Sequence, residues 1–302
     1  MPPKRKATEA AAERTTKSRR GGAKEAAPAK PAKASAKKAA KSEKAKSSTA
    51  DGLDPSSFTL EGVQTMFDRY MDEDDNDVIG GEGLERLCGD ASMSMEGALP
   101  LLVAWSVNAK TLGSITRTEF ADAFGKLRID TPQKVGLMAS DLNTLFFDCS
   151  IAEKAARMSI NNGANGADPY DRTLLRSYQH NAESAYSKFY SFCFALVKPP
   201  QSRNIDMETA TAFWSAILAP KYPIAGELVA FISYIDMAQE KGTYKAVTKD
   251  IWSMTLEFCK TVQPDLQGYD EEEAAWPSLL DDFVEWKKAK LVPAPTEDAM
   301  VE

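Results

Sequence analysis

The spacing of apolar residues in the first half of the chain predicts amphipathic helices. From Phe58 to Met71, and again from Gly83 to Cys88, apolar positions recur at intervals of three and four residues, as they do on one face of a helix. Between Leu99 and Val107 nearly every position is apolar. This third helix is therefore expected to be buried or to line a pocket.

The second half of the chain carries equally strong helical signals. Apolar positions from Tyr186 to Val197 share one helical face, and Pro199-Pro200 stops that helix. Asp206 can cap the next helix, and further helices are expected at about 226–237 and 248–262. Because the alternation typical of strands is not sustained anywhere, the sequence predicts an all-α fold.

Charge divides the chain into a basic arm and an acidic remainder. Residues 1–50 hold 15 Lys or Arg and 4 Glu, a balance of +11, so a total of −7 leaves −18 for the rest. The arm has no Leu, Ile, Val or aromatic residue and cannot offset the entropy cost of ordering, so we expect it to be disordered. All aromatic residues fall between Phe58 and Trp286, which predicts a globular domain there.

Several functional classes lack their characteristic residues. No apolar run approaches the roughly 18–20 residues of a membrane span, so no membrane association is expected. The four cysteines form no Cys-x-x-Cys pair, and His180 is the only histidine and is expected on the surface. Zinc sites and His-dependent catalysis are therefore poorly supported. We expect no metal, no cofactor and no catalytic chemistry of the chain's own.

The basic arm contains two short clusters with the spacing of a two-part nuclear import signal. Their basic residues are Lys4, Arg5, Lys6, Lys17, Arg19 and Arg20. The alternative is a solvated polycation that binds nucleic acid non-specifically, as in a chromatin-associated protein. No aromatic residue is interleaved for base stacking, so specific nucleic-acid binding is not expected. The signal predicts a protein that is nuclear or shuttles between nucleus and cytoplasm.

An acidic loop after the first helix resembles half of a calcium-binding loop. Oxygen-bearing residues stand at positions 1, 3 and 5 of that loop, namely Asp72, Asp74 and Asn76. Ile79 takes the apolar position 8, but Asp77 stands where the turn needs Gly, and Gly83 stands where a bidentate Glu is needed. A solvated acidic turn is the simpler interpretation of this loop.

A second calcium-like loop, residues 108–119, begins thirty-six residues later. It keeps the positions that the first loop lacks and lacks ligands that the first loop keeps. Gly113, Ile115 and Glu119 occupy positions 6, 8 and 12, but Lys110 and Leu112 replace the expected oxygen ligands. Pairing of the two position-8 isoleucines would make a tandem EF-hand-like unit in which neither loop has a full ligand set. A calcium-responsive EF-hand adaptor is therefore an alternative function, with calcium binding as the less favoured outcome.

The last readable segment is dense in negative charge. Between Asp265 and Glu285 there are eight acidic residues and no basic residue. Pro277 suits a first helical turn, and the helix dipole tolerates Asp281 and Asp282 close behind it. The whole cluster is interpreted either as a docking face for a basic partner or as a solvated acidic turn, and charge alone does not separate these readings.

The same segment carries motifs that resemble the C-terminal signature of the defective-in-cullin-neddylation family. They are Tyr269-Asp270-Glu271-Glu272, Ala275-Trp276-Pro277 and Leu280-Asp281-Asp282-Phe283-Val284-Glu285. Shorter motifs precede them in the same order as in the family: Ile79-Gly80-x-Glu82-Gly83, Leu102-x-Ala104-Trp105, Thr116-Arg117-x-Glu119-Phe120, Ala212-Phe213-Trp214 and Asp250-x-Trp252. The resemblance covers about residues 58–288.

The resemblance implies a potentiating-neddylation domain that acts as a non-catalytic, scaffold-type ligase component. Members of this family hold a cullin and the conjugating enzyme of neddylation together. In such an arrangement rate enhancement comes from proximity and orientation. The implied fold is an EF-hand-like first lobe followed by a second helical lobe, which agrees with the prediction from periodicity.

Two partner surfaces are implied by the resemblance. An acidic patch for the C-terminal winged-helix region of the cullin maps onto Asp250, Ala275 and Asp281. A hydrophobic pocket for the acetylated N-terminal Met of the conjugating enzyme maps onto seven apolar residues. They are Leu84, Val103, Ala104, Val107, Ile115, Leu196 and Phe213. From periodicity alone these seven residues would be read as core.

The expected organisation has three parts along the chain. They are a disordered Lys/Ala-rich arm at 1–55, the potentiating-neddylation domain at 56–290 and a flexible tail at 291–302. The domain is subdivided into an EF-hand-like lobe at 56–130, an insertion at 141–185 and a C-terminal helical lobe at 186–290. The insertion exceeds the usual family length, and the turn at 270–276 is one residue longer than the family spacing.

Overall fold

A computed structural model of the chain describes Leu53 and residues 57–147, 168–238, 244–270 and 275–291, with the backbone alone for 236–238. All of these residues belong to one compact unit, Ser47–Glu302. Several predicted features lie outside the described residues. They are the six import residues of the arm, the tail beyond Leu291, the Asn- and Gly-rich residues 161–167, Cys149 and the acids Glu271–Glu273.

The described part of the chain contains eleven α-helices and four two-residue strands, and it confirms the all-α prediction. The first half comprises α1 (Leu60–Tyr70), β1 (Val78–Ile79), α2 (Gly81–Asp90), α3 (Leu99–Ser106), β2 (Ile115–Thr116), α4 (Arg117–Leu127) and α5 (Pro132–Phe147). None of the helices described is long and apolar enough to span a membrane.

The second half follows the predicted series of helices. It comprises α6 (Thr173–Gln179), α7 (Ala182–Val197), β3 (Ile205–Asp206), α8 (Met207–Phe213), α9 (Pro223–Ala238), β4 (Ala246–Val247), α10 (Lys249–Thr261) and α11 (Ser278–Leu291). Helix α8 continues into a π-helical turn, Trp214–Leu218. As predicted, Asp206 caps α8, and its side chain accepts a hydrogen bond from the backbone N–H of Thr209.

The four short strands form two antiparallel pairs. In the β1–β2 pair Ile79 stands opposite Ile115, as the spacing of the two loops predicts. In the β3–β4 pair Ile205 stands opposite Val247, and the sequence pattern did not reveal this pair. Each strand is followed by a helix after at most one residue, so the second half repeats the helix–strand–helix arrangement of the first. An EF-hand-like identity of the first lobe stays a prediction.

The core of the second half is built around stacked aromatic rings. Tyr190 on α7 stacks against Trp252 on α10, with ring centroids 4.5 Å apart. The Tyr190 hydroxyl donates to the Trp252 carbonyl (2.9 Å) and accepts from Trp214 Nε1 (2.9 Å). All three side chains are buried, so their polar groups need these partners. The π-helical turn, α7 and α10 are thereby held in one arrangement.

Helix α3 lies between the two halves of this unit. It packs against α5 and α7, and Trp105 at its end contacts the rings of Phe146, Tyr178 and Phe189 at centroid distances of 5.2–5.6 Å. As predicted for a helix that is apolar nearly all round, Leu101, Leu102 and Val103 are buried. These contacts on several sides hold helix α3 in a fixed position.

The two ends of the predicted 141–185 insertion are packed into the fold. Residues 141–147 continue α5, and Leu175 on α6 is buried. Between these ends, Arg172 forms a buried ion pair with Asp141, with Nη2 and Oδ2 2.7 Å apart. Residues 148–167 lie outside the described residues.

Candidate functional site

An apolar cavity of about 330 Å³ lies beside α3. It brings together side chains from four elements that are distant in the sequence. The predicted pocket residues that line it are Leu84 on α2, Val103 and Ala104 on α3, Ile115 on β2 and Phe213 on α8. Because its walls are almost entirely apolar, the cavity suits an uncharged apolar group and disfavours a charged one.

The two remaining predicted pocket residues lie elsewhere. Val107 and Leu196 are both buried in the hydrophobic core and are not part of the cavity wall. Val107 caps the C-terminal end of α3, where its backbone N–H bonds to the Val103 carbonyl. The structure thus brings five of the seven residues together at the cavity and gives the other two a packing role.

The cavity has lining residues that the sequence analysis missed. They are Leu87, Cys88, Met95, Gly97, Pro100, Leu101, Thr111, Leu112, Gly113, Ser114, Ala212 and Ala216. Helical spacing is a signal for some of them, since Leu87 follows Leu84 by three residues. No such signal marks Met95 and Leu112, which lie in loops and are 48% and 50% exposed.

The cavity contains one thiol, that of Cys88. Burial raises the pKa of this thiol, so it is protonated at neutral pH and is a poor nucleophile. The side chains that surround it are apolar or neutral. The thiol therefore adds no charge to the apolar walls of the cavity.

The predicted acidic patch consists of Asp250, Ala275 and Asp281. Asp250 is exposed in the first turn of α10, which Thr248 caps. Ala275 is exposed, and Asp281 is half-buried in the first turn of α11. Both aspartates thus stand in the first turns of helices, where the helix dipole favours negative charge.

Two tyrosine hydroxyls bind the carboxylates at the start of α11. Tyr269 donates to Oδ1 of Asp281 at 2.9 Å, and Tyr244 donates to Oδ2 of Asp282. The pKa of Tyr244 is raised, mainly by burial and in second place by the hydrogen bond to Asp282. The hydroxyl therefore stays protonated and can donate this hydrogen bond. The segments on either side of α10 are thereby tied to the N-terminal end of α11.

The positively charged side chain of Arg117 pairs with carboxylates in and beside the first calcium-like loop. The guanidinium of Arg117 lies 2.6 Å from Oδ1 of Asp68 and 3.2 Å from Oδ1 of Asp77. The hydrogen bond to Asp68 is the main cause of the raised pKa of Arg117. Asp72 is also engaged, since its Oδ1 accepts from the backbone N–H of Gly80 at 2.9 Å.

The glutamate of the second calcium-like loop, Glu119, accepts hydrogen bonds from backbone N–H groups of the same loop. Oε1 of Glu119 accepts from the N–H of Lys110 at 3.0 Å, and Oε2 accepts from the N–H of Thr116 at 2.9 Å. Thr116 and Glu119 form a capping box at the start of α4. Within the described ranges, no three His, Cys, Asp or Glu side chains are grouped so as to hold a metal ion.

Comparison with known proteins points to one family. A family model described as "Cullin binding" matches residues 171–286, the stretch that contains Asp250, Ala275 and Asp281. The chain is 28% identical to DCN1-like protein 5 of Homo sapiens over 233 residues, which cover 77% of this chain and 80% of that protein.

Two further relatives show the same degree of similarity. The chain is 29% identical to DCN1-like protein 4 of Danio rerio, over 70% of this chain and 61% of that protein. It is 28% identical to DCN1-like protein 4 of Homo sapiens, over 80% of this chain and 68% of that protein. The similarity thus extends from the cullin-binding match into the first half of the chain.

Proposed function

Because the chain is a member of the DCN1-like family and carries a cullin-binding domain, we propose that it promotes cullin neddylation as a non-catalytic scaffold. It holds a cullin and the conjugating enzyme together, so that the ubiquitin-like modifier passes more readily to a cullin lysine. The gain in rate comes from converting an encounter of separate molecules into a positioned reaction.

The acidic patch is the proposed cullin-binding surface. Its partner is the basic C-terminal winged-helix region of the cullin. Support comes from the exposure of Asp250 and Ala275 and from the "Cullin binding" match, which spans all three patch residues. Complementary charge across such a surface speeds association and selects the partner.

The apolar cavity is the proposed site for the conjugating enzyme. Its occupant is the acetylated N-terminal Met of that enzyme. Acetylation replaces a charged amine by a neutral amide, and a charged amine would be costly to bury among the apolar walls. The observation that carries the proposal is that an open apolar cavity and an exposed acidic surface occur on one compact unit.

Reconstituted cullin modification tests the proposed function. Purified activating enzyme, conjugating enzyme, modifier and cullin are combined with and without this protein, and the modified cullin is quantified over time. The expected result is a faster initial rate with the protein, together with a slow basal rate without it. An unchanged rate at saturating protein would reject the proposal.

Peptide binding tests the assignment of the cavity. We expect the N-terminal peptide of the conjugating enzyme to bind when it is acetylated and to lose at least about tenfold in affinity as a free amine, because the charge must be desolvated. Isothermal calorimetry measures both forms. Asp281→Lys is the matched control, since it alters the other surface and should bind the acetylated peptide normally. Equal binding of both peptide forms contradicts the assignment.

The basic arm is proposed to direct the protein to the nucleus and not to contribute to the reaction. Deletion of residues 1–50 is expected to shift a fluorescent fusion toward the cytoplasm and to leave the reconstituted rate unchanged. A truncated protein that no longer accelerates cullin modification would instead assign the arm a part in the reaction.

A further inference from the structure

The N-terminal end of α11 carries two adjacent aspartates, Asp281 in the first turn and Asp282 directly after it. Each accepts a hydrogen bond from a tyrosine in a different segment between helices. Tyr269 lies between α10 and α11, and Tyr244 lies between α9 and α10. Neither tyrosine is adjacent in sequence to the aspartate it binds. The orientation of these carboxylates is thus set by tertiary contacts and not by α11 itself.

Tyr269 is held firmly enough to orient another side chain. Its ring packs edge-on against the buried ring of Phe258, with centroids 6.4 Å apart, and the Lys288 ammonium lies 5.2 Å from its centroid. The preceding residue, Gly268, has a φ of +86°, and a Cβ atom there would overlap the Thr261 carbonyl. The backbone before Tyr269 is therefore a tight turn that only glycine permits.

The hydrogen bond from Tyr269 makes the two carboxylate oxygens of Asp281 inequivalent. Tyr269 donates to Oδ1, so a basic side chain of the partner would pair with Oδ2. A carboxylate with one oxygen held this way loses less rotational freedom when it pairs with a cation than a mobile one does. The donor is neutral, so it orients the carboxylate without cancelling the negative charge that attracts a basic partner.

We propose that Tyr269 is a positioning residue for cullin binding, which holds the Asp281 carboxylate in the orientation that pairs with a basic side chain of the cullin. This inference rests on the proposed function, and it adds a residue that does not itself contact the partner. It also explains how a half-buried aspartate at a helix start can take part in a specific ion pair.

A double-mutant cycle tests this role with the full-length protein and a purified cullin winged-helix fragment. The variants are Tyr269→Phe, Asp281→Asn and the two combined, and surface plasmon resonance gives rates and affinities at several salt concentrations. Tyr269→Phe is expected to weaken binding by about five- to tenfold, because the released carboxylate must then be ordered when the cullin binds. In the Asp281→Asn background, Tyr269→Phe should have no further effect.

The kinetics separate positioning from general damage to the fold. Tyr269→Phe keeps the charge of the patch, so it should raise the dissociation rate and leave the salt dependence of association unchanged, whereas Asp281→Asn should reduce that salt dependence. Tyr234→Phe is the matched control, because Tyr234 is 51% exposed on α9, and it should change neither rate. Binding of the acetylated peptide should be normal in every variant.

Three outcomes would overturn the inference. If Tyr269→Phe does not weaken binding, or weakens it equally in the Asp281→Asn background, Tyr269 does not act through Asp281. Either result leaves the proposed cullin surface intact, provided that Asp281→Asn itself weakens binding. If Asp281→Asn has no effect, the assignment of Asp281 to the cullin surface fails, and the role of Tyr269 fails with it.

Discussion

Asp141 accepts three hydrogen bonds at one oxygen, Oδ2. Two come from Arg172, at 3.0 and 2.7 Å, and one comes from the Tyr170 hydroxyl at 2.8 Å. All three residues are buried, so the charges depend on each other for stabilisation. Burial and the neighbouring Asp141 raise the pKa of Tyr170, which keeps the hydroxyl as a donor. This cluster joins α5 to the segment before α6.

Removing one member of the cluster is expected to be costly. Asp141→Ala removes the nearer carboxylate of the buried Arg172 guanidinium and leaves the longer contact with Asp168 at 3.7 Å, so the free energy of unfolding should fall by about 3–5 kcal/mol. Urea unfolding followed by tryptophan fluorescence measures the change. Glu257→Ala breaks the more exposed pair with Lys260 and should cost less than about 1 kcal/mol. Similar costs for the two variants would contradict this account.

At the scale of elements, the crossing of α1 and α2 explains a departure from the calcium-loop pattern. Gly83 stands where a calcium loop needs Glu. A Cβ atom at Gly83 would overlap the Tyr70 carbonyl oxygen at the end of α1. The close approach of the two helices therefore requires glycine at this position, and it excludes the bidentate ligand that a calcium loop would use.

Two glycines of α2 provide a matched test of this crossing. Gly83→Ala should destabilise the protein by about 1–3 kcal/mol, because the added methyl group forces the helices apart. Gly89→Ala lies in the same helix with open space around it, and it should stabilise by about 0.5–1 kcal/mol through reduced freedom of the unfolded chain. Thermal unfolding compares the two. A neutral Gly83→Ala would mean that α1 and α2 do not approach this closely.

At the scale of the whole molecule, the two proposed surfaces belong to one packed unit. Helix α3 forms a wall of the cavity through Val103 and Ala104, and the adjacent Trp105 packs against Tyr178 and Phe189. Phe213 lines the cavity directly before the π-helical turn, whose Trp214 stacks with Trp252 on α10, the helix of Asp250. A continuous packed core thus links the cavity to α10, which carries Asp250 of the acidic patch.

A mixing experiment tests whether both surfaces must act on the same molecule. Ala104→Trp should fill the cavity and prevent acetylated-peptide binding, and Asp281→Lys should weaken cullin binding by more than about tenfold through charge reversal. Each variant alone should fail to accelerate cullin modification. An equal mixture of the two variants should also fail, because the cullin and the conjugating enzyme must be bound to the same scaffold molecule to be brought together. Recovery in the mixture would show that the two sites act independently.

The sequence by itself determined the helical elements and the division of charge. Helix periodicity depends on residues three and four apart, so α7, α9 and α10 could be placed within a few residues, as could the Asp206 cap. The pairing of Ile79 with Ile115 was also accessible, because two similar loops repeat at a fixed spacing. The family resemblance was recognised from short motifs that occur along the chain in the same order as in the family.

Only the tertiary structure decided which distant residues meet. Two-residue strands such as β3 and β4 are too short to alternate visibly, and the ion pair between Asp141 and Arg172 joins residues 31 positions apart. Apolar character could not separate Val107, which is in the core, from Ala104, which lines the cavity. Such contacts depend on how whole helices cross, and a local pattern of apolar and polar residues carries no information about that geometry.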